Sequence, residues 1–292
     1  MPTLSQTAQR TQDWLSEHSA LPRRTGLVIS IAMFVAGLIW SLQAFSGSGH
    51  TLKVWPLAIL FFVCVPLTTV LNTAEFQVMS RMAGSRVGWP QSFEITIYAS
   101  AANMLPLPGG MIARVAALKA HGATVRFGSL IVVLFAGIWG AIAFCYSGIW
   151  LAALGHQMLG VLFVAAGIGF LAMLSIVAIR IKPQIPLILY AFVIRVSSLL
   201  VDVLRQMLAI WAFGIFVEFG EASVFSVSTF VGNAVSIVPA GLGVREIVVA
   251  AMSSLIALPV AIGFLSAAVN RAVGMGGLIT LAFGLACRRG HR

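Results

Sequence analysis

The chain runs apolar for twenty residues or more at a stretch, and does so repeatedly. A bilayer is the solvent in which such runs are stable. Its hydrocarbon core is about 30 Å thick, takes about 20 helical residues to cross, and requires every backbone polar group to be paired within the segment. Six segments meet that length: Gly26–Phe45, Val54–Thr73, Phe127–Leu154, Met158–Ile181, Pro186–Phe216 and Pro259–Cys287. Two further apolar regions, Ser92–Ala120 and Ala222–Leu258, are interrupted by Pro/Gly clusters at Pro106–Gly110 and Pro239–Gly243. The apolar stretches beside each break are too short to span, so each region reads as a re-entrant helical hairpin; the alternative is one kinked spanning helix.

Only 9% of the 292 residues are charged, against about 25% in a soluble domain, which excludes a soluble globular fold. The longest polar stretch is the N-terminal 25 residues, leaving no room for a soluble catalytic domain. An uncleaved first span is expected rather than a signal peptide, because the apolar run near Gly26 lacks a small-residue cleavage site. The net charge of +10 does not point to nucleic acid, since the basic residues flank apolar runs and do not gather on a polar face.

Their sidedness tests the span count. Six spans place Arg10, Arg23, Arg24, Arg81, Arg86, Lys119, Arg126, Arg180, Lys182, Arg288, Arg289 and Arg292 on one side, and Lys53, Glu218 and Glu221 on the other. Twelve basic residues against one is a strong positive-inside asymmetry. It puts both termini in the cytoplasm of a multi-pass protein of the bacterial cytoplasmic membrane. Counting either hairpin as a span would move part of the basic set to the wrong side.

The chain also repeats itself at an offset of 131 residues, where Pro108–Arg114 matches Pro239–Arg245 as PxGxxxR. The same offset carries the starts of the first three spans onto those of the last three, so each half is span, span, hairpin, span. Three spans is an odd number, which turns the second half upside-down relative to the first. The expected fold is therefore an all-α polytopic membrane protein with six transmembrane helices and two re-entrant hairpins in an inverted repeat. Residues 1–25 form a cytoplasmic segment, 26–154 the first repeat with its hairpin near 92–120, 155–287 the second with its hairpin near 222–258, and 288–292 a cytoplasmic tail.

Inverted repeats with broken helices meeting at mid-bilayer are a transporter architecture. A half-helix that starts after a Gly-rich loop aims unpaired N–H groups and its positive dipole end at the bilayer centre, which suits an anion. Gly109, Gly110, Gly241 and Gly243 supply those loops. Arg114 and Arg245 follow them by a helical turn and, facing one another, would clamp a phosphate; alternatively each snorkels or pairs with an acid such as Glu246. Glu246 either holds Arg245 or titrates during coupling. Arg271, halfway along the last span, costs on the order of 3 kcal/mol to insert and must face protein or water. Asn270 beside it reads as a helix–helix hydrogen-bonding group. Asp202 and Arg205, with Arg195 on a similar face, form either an internal ion pair or substrate contacts. Asn103 and Asn233 precede the loops and cap or line them. Glu75 and Glu94 read as interfacial carboxylates, solvated or paired with Arg81 or Arg86, and Trp14, Trp40, Trp55 and Trp89 as interfacial anchors.

Catalysis has little support. There is no GxSxG, HExxH, P-loop or paired-carboxylate constellation, and His121 and His156 fall near interfaces. The histidines lack an i, i+4 pair and the three cysteines a CxxC spacing, so neither metal site, disulfide nor cofactor is expected.

PAGLGVRE (Pro239–Glu246) followed by Arg271 deep in the last span resembles the second signature of the lysylphosphatidylglycerol synthase transmembrane, or flippase-like, family, and NMLPLPGGMIAR (Asn103–Arg114) its first. The resemblance spans nearly the whole chain and implies a membrane protein that handles lipids. In the multiple peptide resistance factors such a module flips aminoacylated phosphatidylglycerol and is fused to a soluble aminoacyltransferase domain. That domain is absent here, so the transferase activity does not carry over. The family's acid–arginine pair after the first hairpin is replaced by Trp139 and Gly140, which shifts the expected binding chemistry to the second half.

The leading expectation is a lipid translocase: an anionic phospholipid or polyprenyl-phosphate head group bound at the centre and moved by rocking of the two halves, without nucleotide. The alternatives are a non-catalytic partner that presents lipid-linked intermediates to a glycosyltransferase or other lipid-modifying enzyme, and a secondary transporter of small anions.

Overall fold

The computed structural model describes residues 31–47, 49, 51–103, 109–181, 183–234 and 242–289. In chain order its helices are α1 (Ile31–Ser46), α2 (Val54–Met82), α3 (Trp89–Ala102), α4 (Gly109–Ala120), α5 (Val125–Ala153), α6 (Gln157–Ile181), α7 (Ile185–Trp211), α8 (Phe219–Ser223), α9 (Ser226–Ala234), α10 (Val244–Ser253) and α11 (Val260–Arg289). No strand occurs among the described residues. Five of these helices (α2, α5, α6, α7 and α11) are long and apolar enough to cross a membrane. The protein is therefore a helical membrane protein.

The sequence sets the ends of these elements. Thr124 caps α5 by accepting a hydrogen bond from Phe127 N at 3.2 Å. Pro186 sits in the first turn of α7, where its missing N–H is harmless. Gly122, at φ +98°, turns the chain between α4 and α5. Pro66 interrupts the ladder of α2, and the five residues before Val65, Leu60–Cys64, widen into a π-helical turn.

Of the six expected spans, the first is described only as Ile31–Ser46, a shorter apolar helix; residues 26–30 lie outside the described residues. The second does not stop at Thr73 but continues as helix to Met82. Thr69 and Thr73 make this possible at apolar depth, because their hydroxyls donate to Val65 O and Thr69 O, one turn back, at 2.9 and 2.8 Å. The fifth ends at Trp211, short of the expected Phe216, and a turn at Gly214 (φ +78°) follows it.

In the two interrupted regions the structure has pairs of short helices. At about 1.5 Å per residue none of α3, α4, α9 or α10 is long enough to cross the core alone. α3 packs on α4, and α9 on α10. A Cβ on Gly109 would collide with the Ala102 carbonyl, so the two chains can approach only because the residue there is glycine. The Pro/Gly clusters themselves, at 104–108 and 235–241, are outside the described residues.

Packing follows lipid exposure. α6 is the most apolar span yet only 11% of it is buried; Val161, Leu162, Leu171, Ile176 and Ile179 face outward. It is held to α5 through glycines: a Cβ on Gly148 or on Gly160 would come within 2.7 Å of the other's carbonyl oxygen. α7 is the central element. It supplies Ile194 to a cluster with Phe76 and Phe135, Val203 and Ile210 to one with Phe225 and Leu265, and Val201 and Leu208 to one with Leu60 and Val65. α2 and α7 begin 131 residues apart, at Val54 and Ile185.

Candidate functional site

Charged side chains converge in the packed core as two adjoining clusters, both organised by α7. In the first, Glu75 of α2 is fully buried and its Oε1 accepts from two arginines, Arg195 Nη2 of α7 at 2.7 Å and Arg114 Nη1 of α4 at 3.2 Å. The guanidinium of Arg195 lies over the Trp139 ring of α5, 5.2 Å from its centroid, a cation–π contact that offsets part of its desolvation. Glu75 Oε2 is buried without a hydrogen-bond partner.

The second cluster joins α7, α10 and α11. Arg205 stands 3.8 Å from Asp202 one turn back, donates from Nε to Asn270 Oδ1 at 3.1 Å, and reaches Thr68 Oγ1 of α2 at 3.4 Å. Asn270 donates in turn to Gln206 Oε1 at 3.2 Å, and Gln206 donates to Ser266 at 2.8 Å, so a satisfied polar network pins α7 to α11. Glu246, fully buried, accepts from the Gly243 N–H at 2.9 Å, closing the first turn of α10, and from Arg271 Nη2 at 3.2 Å. Arg271 Nε also approaches Glu246 Oε1 to 2.8 Å, a charge contact without hydrogen-bond alignment.

Arg245 is different. Its Nε is buried and unpartnered, and no carboxylate pairs with it among the described residues. Two cationic groups, Arg205 and Arg271, are near enough to feel its charge. Asp202 acts on Arg195 and Arg205 alike and bridges the two clusters electrostatically. Together they hold five guanidiniums (Arg114, Arg195, Arg205, Arg245, Arg271) and three carboxylates (Glu75, Asp202, Glu246). Two positive charges remain uncompensated. In a low-dielectric interior such a surplus attracts anions far more strongly than it would in water.

The structure thus brings together Asp202, Arg205, Arg245, Glu246 and Arg271 as one neighbourhood, and alters the expected partnerships within it. Glu246 holds Arg271, not Arg245, because its carboxylate is committed to the α10 start and the facing α11. Arg114 does not pair with Arg245; it belongs to the Glu75 cluster. Glu75 is not an interfacial carboxylate near Arg81 or Arg86, since the continued helix of α2 carries it into the core. Asn103 caps α4, its Oδ1 accepting from Gly110 N at 2.8 Å, and a Cβ on Gly110 would collide with that side chain. Gly109 and Gly110 are buried at the start of α4. Gly243, at φ +82°, precedes α10 in a conformation open to glycine. Asn233 is exposed near the end of α9, next to Gly232, which packs against Arg245, and Gly241 lies outside the described residues. Glu75, Trp139 and Gln206 are the members that hydropathy and motif spacing did not single out as a site, and Arg195, noted only for sharing a face with Asp202, pairs with Glu75.

Two cavities lie elsewhere, one of about 640 Å³ lined by residues around Arg81 and Arg86 and one of about 290 Å³ at the α5–α6 turn (Gly155–Leu159). Neither includes an expected site residue. His121 and His156 sit on turns between helices, bonded to Ala117 O and Leu255 O at 2.7 Å each.

No protein family, no curated protein and no solved structure matches the chain.

Proposed function

We propose that the protein is a membrane lipid translocase, resembling the flippase-like family, that passes the phosphate-bearing head group of an anionic phospholipid or polyprenyl-phosphate lipid across the bacterial cytoplasmic membrane. The observation that carries this reading is Arg245: a half-buried arginine whose Nε is buried and unpartnered, with no carboxylate paired to it among the described residues and with Arg205 and Arg271 near it. A group in that condition is stabilised by an anion from outside the protein. Phosphate suits it, because the guanidinium fork matches phosphate oxygens.

The accompanying architecture is six spans and two re-entrant hairpins in an inverted repeat, with both termini cytoplasmic. Side-by-side packing of α3 on α4 and of α9 on α10 supports hairpins over single kinked spans. The 131-residue offset also accounts for the asymmetry of charge. It relates Glu75 to Gln206 and Arg114 to Arg245. The first half keeps the acid beside its arginine, whereas the second has a neutral amide in the acid's place and a bare arginine. Transport then needs no nucleotide. Lipid flow down its gradient or an ion gradient drives rocking of the halves about the shared core.

Reconstitution into liposomes containing a head-group-labelled phosphatidylglycerol or polyprenyl phosphate tests this. Wild type is expected to move label between leaflets, and Arg245→Ala to lower the rate roughly tenfold or more, the weight of one charge-assisted contact. No movement above protein-free liposomes, in either protein, sinks the translocase. Lipid immobility together with a stable complex with a glycosyltransferase favours the presenting-partner reading. Phosphate or chloride flux without lipid movement favours a small-anion transporter.

A further inference from the structure

The cluster around Glu75 carries a positive surplus of its own. Arg114 and Arg195 each spend one hydrogen bond on the same oxygen, Glu75 Oε1, from Nη1 at 3.2 Å and from Nη2 at 2.7 Å. Their other donors have no partner among the described residues, and the Nε of each is buried. Two guanidiniums against one carboxylate leave one charge, and Asp202, which also acts on Arg195, has its own arginine in Arg205 at 3.8 Å. Residues 104–108, which lead into α4, include no acid. A guanidinium offers five donors, so a buried one with a single bond is far from satisfied, and an acceptor with several oxygens meets the deficit. Glu75 Oε2, buried and unpartnered, is left to accept from a hydroxyl.

This surplus is distinct from the one at Arg245. Arg195 and Arg205 are ten residues apart on α7, about 15 Å along its axis, or half of a hydrocarbon core about 30 Å thick. Arg114 acts on Arg195, and Arg245 on Arg205. The two surpluses therefore lie toward opposite ends of the α7 charge row, with the Asp202–Arg205 pair, neutral as a unit, between them. A head group held at successive depths fits that spacing better than one clamped by both. The Trp139 ring covers one face of Arg195, and Arg114, with 20% of its side chain exposed against 11% for Arg195, is the open edge of the cluster.

We infer that Arg114 and Arg195 form a second phosphate-binding position, which takes the head group of an anionic lipid before or after it occupies Arg245. The inference rests on the reading of the protein as a head-group carrier, and gives its path two resting places. The arriving phosphate accepts from the free donors of Arg114, while the shorter Glu75–Arg195 bond holds.

Native mass spectrometry of the full chain in neutral detergent, titrated with short-chain phosphatidylglycerol over a phosphatidylcholine background, counts the positions. Wild type is expected to hold two copies at saturation, Arg114→Gln one, Arg245→Ala one, and the double variant none. Arg81→Gln, at an exposed arginine outside both clusters, should hold two. Arg114→Lys keeps the ion pair but loses the fork, and should need roughly tenfold more lipid to load the second copy. A purely structural Arg114 would lower the melting temperature on substitution and leave the count at two. A wild-type count of one, or two copies retained by Arg114→Gln, overturns the inference, as does inorganic phosphate displacing the second copy at concentrations equal to the lipid's. Movement of labelled lipid in liposomes is read separately. Movement with a count of one keeps the translocase and removes the second position; two copies without movement keep the position and remove the translocase.

Discussion

A single carboxylate oxygen, Glu75 Oε1, neutralises two arginines from different helices. Breaking a buried pair leaves uncompensated charge and typically removes about 3–5 kcal/mol. Glu75→Gln is therefore expected to lower stability by about 3 kcal/mol, the low end of that range, because Arg114 keeps 20% of its side chain exposed and is partly screened. Arg245→Ala should have the opposite profile. It breaks no pair, so the melting temperature in detergent should stay near that of wild type while lipid movement falls. If Arg245→Ala unfolds the protein and Glu75→Gln does not, the assignment of paired and unpaired roles is wrong. These roles were only partly legible in the sequence. The second half announces itself, since Glu246 and Arg271 are charged residues amid apolar ones. Glu75 does not, because hydropathy fades after Thr73 although the helix does not. Which acid takes which arginine is decided by helix packing, and no spacing along the chain records it.

Glycines decide how closely the helices approach, and they differ in what opposes them. A Cβ on Gly109 meets the backbone carbonyl of Ala102, which cannot move without parting α3 from α4. A Cβ on Gly274 of α11 meets Arg205 Nη2 at 2.7 Å, the far end of a flexible side chain. Gly109→Ala is accordingly expected to destabilise by about 1–3 kcal/mol, as overpacking does. Gly274→Ala should fold nearly as well as wild type but displace the Arg205 guanidinium, lowering lipid transport more than it lowers the melting temperature. Parallel melts and transport rates of the two variants check this, and equal losses of stability would refute the distinction. At this scale the spans after the first were readable to within a few residues, because apolar length is a local property. The far end of α2, the turn at Val224–Phe225 that separates α8 from α9, and the π turn at Leu60–Cys64 were not. Each depends on hydrogen bonds that local side chains offer the backbone, or on proline geometry, and hydropathy averages over both.

Taken whole, the molecule turns the soluble pattern inside out. Of the five spans the most apolar, α6, is the least buried, while the least apolar, α11, is more than half buried. Sidedness then falls to the connectors, and here the proposed topology is testable. With Cys64, Cys145 and Cys287 replaced, a cysteine at Lys53 should react with a membrane-impermeant maleimide in intact cells, and one at Ser85 only after lysis. Labelling of both in intact cells would remove the six-span count. The expectation of such a topology rests on twelve basic residues against one. The convergence of the arginines was not legible in the sequence, because residues from α2, α4, α7, α10 and α11 meet only once the helices have packed.

The carboxylate of Glu246 has one further consequence. It receives the N–H of Gly243, the residue that leads into α10, and the guanidinium of Arg271 at the same time. The start of one helix and the middle of another are therefore yoked through three atoms. Whatever draws the arginine aside also loosens the threshold of α10, and a rearrangement of the glycine turn is felt on α11. Removing this carboxylate with an apolar side chain cuts both ties together, so the phenotype of such a variant is that of a broken linkage between two helices.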